Sequence, residues 1–114
     1  MSGLIGTSNT KSKILGRSLD TARAWCNISN SGVVNDSFNV SSVSDGTAGI
    51  YTPNFSSNMA NVHYAVVATA DAGGSARAVT YYDQLVGSVI LKVQSIGTES
   101  PTDPDSLSVV IFGD

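Results

Sequence analysis

Residues 88–94 read SVILKVQ, and within them Val89, Leu91 and Val93 occupy every second position. Successive side chains of a β-strand point to opposite faces, so these three share one face and the more polar residues share the other. An amphipathic helix would instead repeat its apolar positions every three or four residues. The stretch therefore predicts a β-strand with one buried face.

Similar short runs recur along the chain at intervals of about 8–12 residues, and turn-forming Gly, Asp, Asn, Ser and Pro close them. Inside the longest run, Phe38, Val40 and Val43 are expected to form an inward row, with a bulge or corner near residues 41–42. Together the runs predict an all-β fold, an antiparallel β-sandwich or jelly-roll of about seven strands. The predicted strands are residues 22–28, 33–43, 49–55, 63–69, 77–82, 88–96 and 106–112.

Length and composition describe one small domain with a neutral, polar surface. The chain has 114 residues, of which 41% are hydrophobic and only 13% are charged, whereas ordinary domains carry about 25% charged residues. The single cysteine, Cys26, cannot form an intramolecular disulfide, and its apolar neighbours predict a buried, inert thiol. No stretch is long and apolar enough to span a membrane, and the N-terminus does not resemble a signal peptide. We therefore expect synthesis in a cytoplasm and no contact with a membrane.

The first 18 residues differ from the remainder in both charge and pattern. They are basic, although the whole chain has a net charge of −3, and their apolar residues occur as isolated pairs that are each followed by glycine. This pattern predicts an extended arm, residues 1–18, that anchors a β-sandwich domain, residues 19–114, to an acidic or apolar partner surface. Contact with nucleic acid is the less favoured alternative. The expected anchoring residues are Leu4, Ile5, Lys11, Lys13, Ile14, Leu15 and Arg17.

The sequence offers little material for catalysis or for a metal site. His63 is the only histidine, and it lies at the start of a predicted strand. A solvent-facing position on the polar side of that strand accounts for it without a catalytic role. Asp103 and Asp105 lie in a proline-flanked loop, but calcium requires six to eight oxygen ligands, roughly. We therefore predict no enzymatic activity, no catalytic residue, no cofactor and no bound metal.

Tyr81 and Tyr82 are adjacent on the predicted strand 77–82, so their rings point to opposite faces. One of the two rings is expected at the surface, either at an interface between subunits or as a platform for a host-surface glycan.

A series of motifs resembles a module found in bacteriophage tail-fibre and related virion proteins. In order they are AWCNI (24–28), SGVV (31–34), DSFNVSSVSD (36–45) and GIYTPNF (49–55), followed by MANVHYAVV (59–67) and the closing VVIFG (109–113). The family patterns are AWxNF, GTGTV, SFNVSS[IV]xD and GxYTVNF, and the match is good over residues 22–69. The chain departs from them at Cys26 and Ile28, where the family tends to have Val and Phe, and at Pro53, where it tends to have Val.

The resemblance implies a non-enzymatic, homotrimeric β module at the periphery of a phage particle, made in the host cytoplasm and located in the virion. The resulting expectation is a virion structural protein of tail-fibre or tail-tip type that acts in host attachment and binds other virion proteins through its N-terminal arm. A capsid decoration protein, of the cement or head-fibre type, is the alternative. A glycan-binding module is the further alternative.

Overall fold

A computed structural model describes residues 21–113, and within them the chain forms eight β-strands and no helix. The strands build two antiparallel sheets, which confirms the predicted β-sandwich. With no helix among residues 21–113, the described chain contains no helical segment that could cross a membrane. The strands are β1 (Ala22–Ser29), β2 (Val34–Phe38), β3 (Val40–Asp45), β4 (Ile50–Phe55), β5 (Ala65–Asp71), β6 (Arg77–Tyr82), β7 (Ile90–Ser95) and β8 (Ser106–Phe112).

Each sheet has four strands, and neighbouring strands are antiparallel. Sheet I has the order β2-β1-β8-β5, and sheet II has the order β3-β4-β7-β6. The chain therefore crosses between sheets four times along residues 21–113, and β5 and β6 lie at edges on the same side of the sandwich.

The core lies between the two sheets and is built from alternate residues, as the sequence predicted. Val89, Leu91 and Val93 are completely buried, and β8 contributes its own alternating buried row. Cys26 is also buried, and burial raises the pKa of its thiol from 9.0 to about 12, which confirms the expected inert position. The buried set is Ala24, Cys26, Ile28, Tyr51, Phe55, Met59, Tyr64, Val89, Leu91, Val93, Leu107, Val109 and Ile111.

The predicted strand 33–43 is two strands, because the chain passes from sheet I to sheet II at Asn39. Asn39 has a left-handed backbone with φ of 56°, a conformation that Asn tolerates better than most residues. The corner therefore falls two residues before the expected position, although the pairing of β3 with β4 is irregular between Val40 and Ser42. The expectation of an inward Phe38 is wrong. Its ring belongs to sheet I and is 53% exposed, whereas Val40 and Val43 pack against the core from sheet II.

The proline-flanked loop before β8 has a structural role. The Asp103 carboxylate accepts hydrogen bonds from the Gly49 amide at 2.7 Å and from the buried Tyr51 hydroxyl at 3.0 Å. The same hydroxyl lies 2.8 Å from the Asn30 carbonyl oxygen. One carboxylate thus holds together the turn before β4, a core ring and the loop before β8.

Candidate interaction surface

An apolar row crosses the outer face of sheet I at one level. Trp25 is paired with Phe38 on one side and with Val110 on the other, and Val110 is paired with Val67. Residues that pair in register across antiparallel strands share a face of the sheet. The four side chains therefore form one continuous row from β2 to β5, called the apolar row below.

The apolar row is only partly shielded from solvent. Phe38 and Val67 are 53% and 55% exposed, and Trp25 and Val110 are half-buried. Two residues beyond Val110 on β8, on the same outer face, Phe112 is 40% exposed and is paired with the exposed Ala65 of β5. Large apolar side chains grouped in this way on an outer face are typical of protein contact sites, whereas isolated ones are not.

The level below the apolar row is polar and hydrogen-bonded. The Asn27 amide donates to the Ser108 hydroxyl at 2.8 Å, and Asn35 donates to the Asn27 side-chain oxygen at 2.8 Å. Thr69 is paired with Ser108 and continues this level onto β5. The outer face of sheet I is therefore divided into an apolar part and a polar border.

The outer face of sheet II has a different character. The Asn54 amide donates hydrogen bonds to the hydroxyls of Ser42 and Ser44, at 3.1 and 3.2 Å. Lys92 follows on β7 and is paired with Thr80 of β6. This part of the face is satisfied by its own hydrogen bonds and by water, whereas Tyr82 and Ile90 form a small apolar pair at the β6 edge.

The two tyrosines proposed as interface or glycan residues lie on opposite faces of β6. Tyr81 lines a groove of about 290 Å³ between the edge strands β5 and β6, together with Val66 and Leu91. Tyr82 is paired with Ile90 and points to the outer face of sheet II. Both rings are exposed, at 47% and 44%, because β6 is an edge strand, whereas only one was expected at the surface. They do not form one flat platform, and a role of either ring in binding stays a prediction.

The candidate residues for chemistry do not meet at one point. His63 is exposed in the loop before β5, where its amide bonds the Asn61 side chain. Asp103 is occupied by its structural hydrogen bonds. Across residues 21–113 no group of three His, Cys, Asp or Glu side chains has the geometry to hold a metal ion.

The predicted anchoring residues of the arm lie outside the described residues, which begin at Thr21. This applies to Leu4, Ile5, Lys11, Lys13, Ile14, Leu15 and Arg17.

The apolar row was missed from the sequence because its members come from four separate strands. One signal was present in the run VVIF, residues 109–112, in which both faces of β8 become apolar. Strands with apolar residues on both faces are usually covered on both faces. The run therefore indicated that Val110 and Phe112 face a second contact, on the side of β8 away from the core.

The geometry defines an all-β sandwich whose sheet I carries an apolar row on its outer face. Comparison of the chain with family models, curated protein sequences and solved structures finds no match.

Proposed function

We propose that the chain is a non-enzymatic structural protein exposed on a bacteriophage particle, of tail-fibre or tail-tip type, and attached through its N-terminal arm. Two features of the sequence support the phage assignment: the ordered motifs over residues 22–69 and the basic arm of residues 1–18. The observation that carries a structural role is the apolar row with the adjacent Phe112. It gives the β domain a surface suited to binding another protein.

The size of the exposed apolar surface is consistent with the centre of a protein interface. Taking an aromatic side chain as about 200 Å², the exposed parts of Phe38, Val67 and Phe112 amount to roughly 250–300 Å². A standard interface buries about 800 Å² on each partner, with an apolar centre and a polar rim. The polar level formed by Asn27 and Ser108 would supply part of that rim.

We propose that the neighbouring subunits of a homotrimer cover this surface. Burial of about 250 Å² on each copy contributes on the order of 6 kcal/mol before the entropic cost of association is subtracted. The charge density also favours association. Among residues 21–113 only Arg23, Arg77 and Lys92 are basic, and none of them belongs to the apolar row. The row itself therefore carries no charge to desolvate, and the nearest charged groups, Asp36 and Arg23, lie at its border.

Two matched substitutions on β5 test the role of this surface. Val67→Lys places a charge in the apolar row, whereas Thr69→Lys places the same charge two residues away on the same outer face, in the polar level. We expect wild type and Thr69→Lys to have about three times the 11.7 kDa mass of the chain by light scattering. Val67→Lys should have the mass of a monomer with an unchanged circular dichroism spectrum. A monomeric wild type at micromolar concentration, or a Val67→Lys variant that remains trimeric, would refute the proposal.

Attachment to the particle needs a separate experiment, because the arm and the β domain have different proposed roles. Particles of the phage that encodes the chain should carry the full-length protein and lose it when residues 1–18 are deleted, with little change in thermal unfolding of the domain. Isolated tails and isolated capsids then distinguish a tail component from a capsid decoration protein. Normal loading of the truncated chain would make the β domain the anchor, and absence of the full chain from every particle fraction would overturn the phage assignment.

A further inference from the structure

A cleft lies at the corner where β2 passes into β3. Its volume is about 370 Å³, within the range of about 300–1,000 Å³ that is usual for small-molecule sites. It is called the corner cleft below, and its lining residues are Arg23, Phe38, Asn39, Ser56 and Ser57.

The walls of the corner cleft are joined by the side chain of Asn39. Its amide donates to the Arg23 carbonyl oxygen at 3.1 Å and to the Ser57 carbonyl oxygen at 3.2 Å, and its oxygen accepts from the Ser57 amide at 2.7 Å. The Ser56 amide also bonds the Asn39 carbonyl oxygen at 3.1 Å. These bonds join β1, the β2–β3 corner and the segment after β4. The cleft is thus formed before any ligand arrives, which lowers the cost of binding.

Arg23 is directed into this cleft by an irregularity in β1. The pairing of β1 with β8 shifts between Ala22 and Ala24, which leaves Arg23 as the extra residue of a bulge. Bulges commonly redirect a side chain beside a binding site. The Nε atom of Arg23 is buried and has no hydrogen-bond acceptor, and no acidic side chain among residues 21–113 forms an ion pair with this arginine. Because Nε is buried, an anion in the cleft would be bound by the two terminal nitrogens, for which no carboxylate of residues 21–113 competes.

The remaining lining groups suit a ligand with both an apolar face and hydroxyl groups. The Phe38 ring is 53% exposed and forms one side of the cleft. The side-chain hydroxyls of Ser56 and Ser57 are exposed and form no hydrogen bond with the other described residues. An aromatic ring can stack on the apolar face of a sugar ring, and hydroxyls can exchange hydrogen bonds with sugar hydroxyls.

We infer that the corner cleft binds one acidic sugar unit of a polysaccharide, a uronic or sialic acid, whose carboxylate pairs with Arg23 and whose ring packs on Phe38. Arginine is well suited to this role because its planar group can bind both oxygens of a carboxylate. The cleft has the volume for a single monosaccharide rather than a long chain segment. The site is distinct from Tyr81 and Tyr82 and does not depend on the phage assignment. It shares Phe38 with the apolar row, so the trimer proposed above and this site hold together only where the cleft side of the Phe38 ring stays open between subunits.

Titration of the full-length protein, followed by two-dimensional amide NMR, tests the assignment. The probes are glucuronic acid and N-acetylneuraminic acid, with glucose, acetate and tetraglutamate peptide as comparisons. We expect both acidic sugars to shift the amides of Arg23, Asn39 and Ser57. Glucose and acetate should each bind at least about tenfold more weakly, since each lacks one half of the recognition.

Substitutions then assign the two halves of the ligand. Arg23→Gln should abolish sugar binding, and Phe38→Leu should weaken the acidic sugars without changing the response to acetate. Arg77→Gln is the matched control, because Arg77 also has a buried Nε without an acceptor but lies on β6, outside the cleft. Unshifted amides elsewhere in each variant show that the domain is folded.

Four results would overturn the inference. Equal binding of glucose and glucuronic acid would exclude a role for the carboxylate. Tetraglutamate that binds as well as the sugars would make the site a protein contact, and acetate that binds equally well would leave an adventitious ion only. An absence of cleft shifts with every probe would likewise exclude the site.

Discussion

Substitution of Asn39 tests how the two sheets are joined and how the corner cleft is formed. Asn39→Gly keeps the left-handed backbone but removes three side-chain hydrogen bonds. Each such bond contributes about 1 kcal/mol, and less where water competes, so we expect a loss of about 2 kcal/mol. Asn39→Ala loses the same bonds and keeps a β-carbon in the left-handed region, where alanine is less favourable than glycine by about 1–2 kcal/mol and lacks the tolerance of asparagine.

The difference between these two variants separates the backbone contribution from that of the side chain. Glycine raises the conformational entropy of the unfolded chain, which lowers the free energy of unfolding by about 0.5–1 kcal/mol relative to alanine. Asn39→Ala should therefore be less stable than Asn39→Gly by only about 0.5–1 kcal/mol. Urea unfolding at equilibrium measures both values, and each 1 kcal/mol corresponds to a shift in Tm of about 4–8 °C for a domain of this size.

Asn35 provides the control for the Asn39 series. It makes one exposed side-chain hydrogen bond, to Asn27, and has no left-handed backbone. Asn35→Ala should therefore cost less than about 1 kcal/mol. Equal stability of wild type and Asn39→Gly would show that the corner bonds do not contribute. Asn39→Ala as stable as Asn39→Gly would refute the backbone argument.

The remaining predictions concern the core and the turns. Tyr51→Phe removes a buried hydroxyl with two acceptors, one of them a carboxylate, and should cost about 1.5–3 kcal/mol in urea unfolding. Gly49→Ala adds a β-carbon 2.7 Å from the Thr102 backbone nitrogen, at a φ of 74°, and should lower the free energy of unfolding by at least about 2 kcal/mol. Gly74→Ala, with open space around it, should lower it by only about 1 kcal/mol. Equal losses would refute the steric argument. Burial raises the pKa of Cys26 from 9.0 to about 12 and that of Tyr64 from 10.0 to about 12. Both groups are therefore neutral in the folded and unfolded states below pH 9, where the fold keeps its full stability. As the pH rises towards 12 they ionise more readily in the unfolded chain, and the free energy of unfolding falls. Unfolding free energies at pH 8 and pH 11 should show this loss, and Cys26→Ala should reduce it; a flat profile would contradict the burial of these groups.

Local sequence pattern was sufficient wherever one strand determines its own environment. The alternation of Val89, Leu91 and Val93 predicted a buried face, because the two faces of a strand are set by the backbone alone. The turn residues likewise separated most of the strands at nearly their observed ends, and the apolar surroundings of Cys26 predicted its burial. These properties depend on neighbours within a few residues, so they can be read from a single stretch of chain.

Only the tertiary structure decided which sheet a strand joins and which residues meet. The run 33–43 has one continuous strand pattern, but the left-handed Asn39 divides it between the sheets and turns Phe38 outward. The apolar row unites Trp25, Val67 and Val110, and the corner cleft brings Arg23 beside residues of a later segment. Such juxtapositions follow from strand order and register, which are determined by packing of the whole sandwich. The sequence by itself therefore determined most of the strands and their buried faces, while the surfaces that could bind a partner arose only when distant strands were paired.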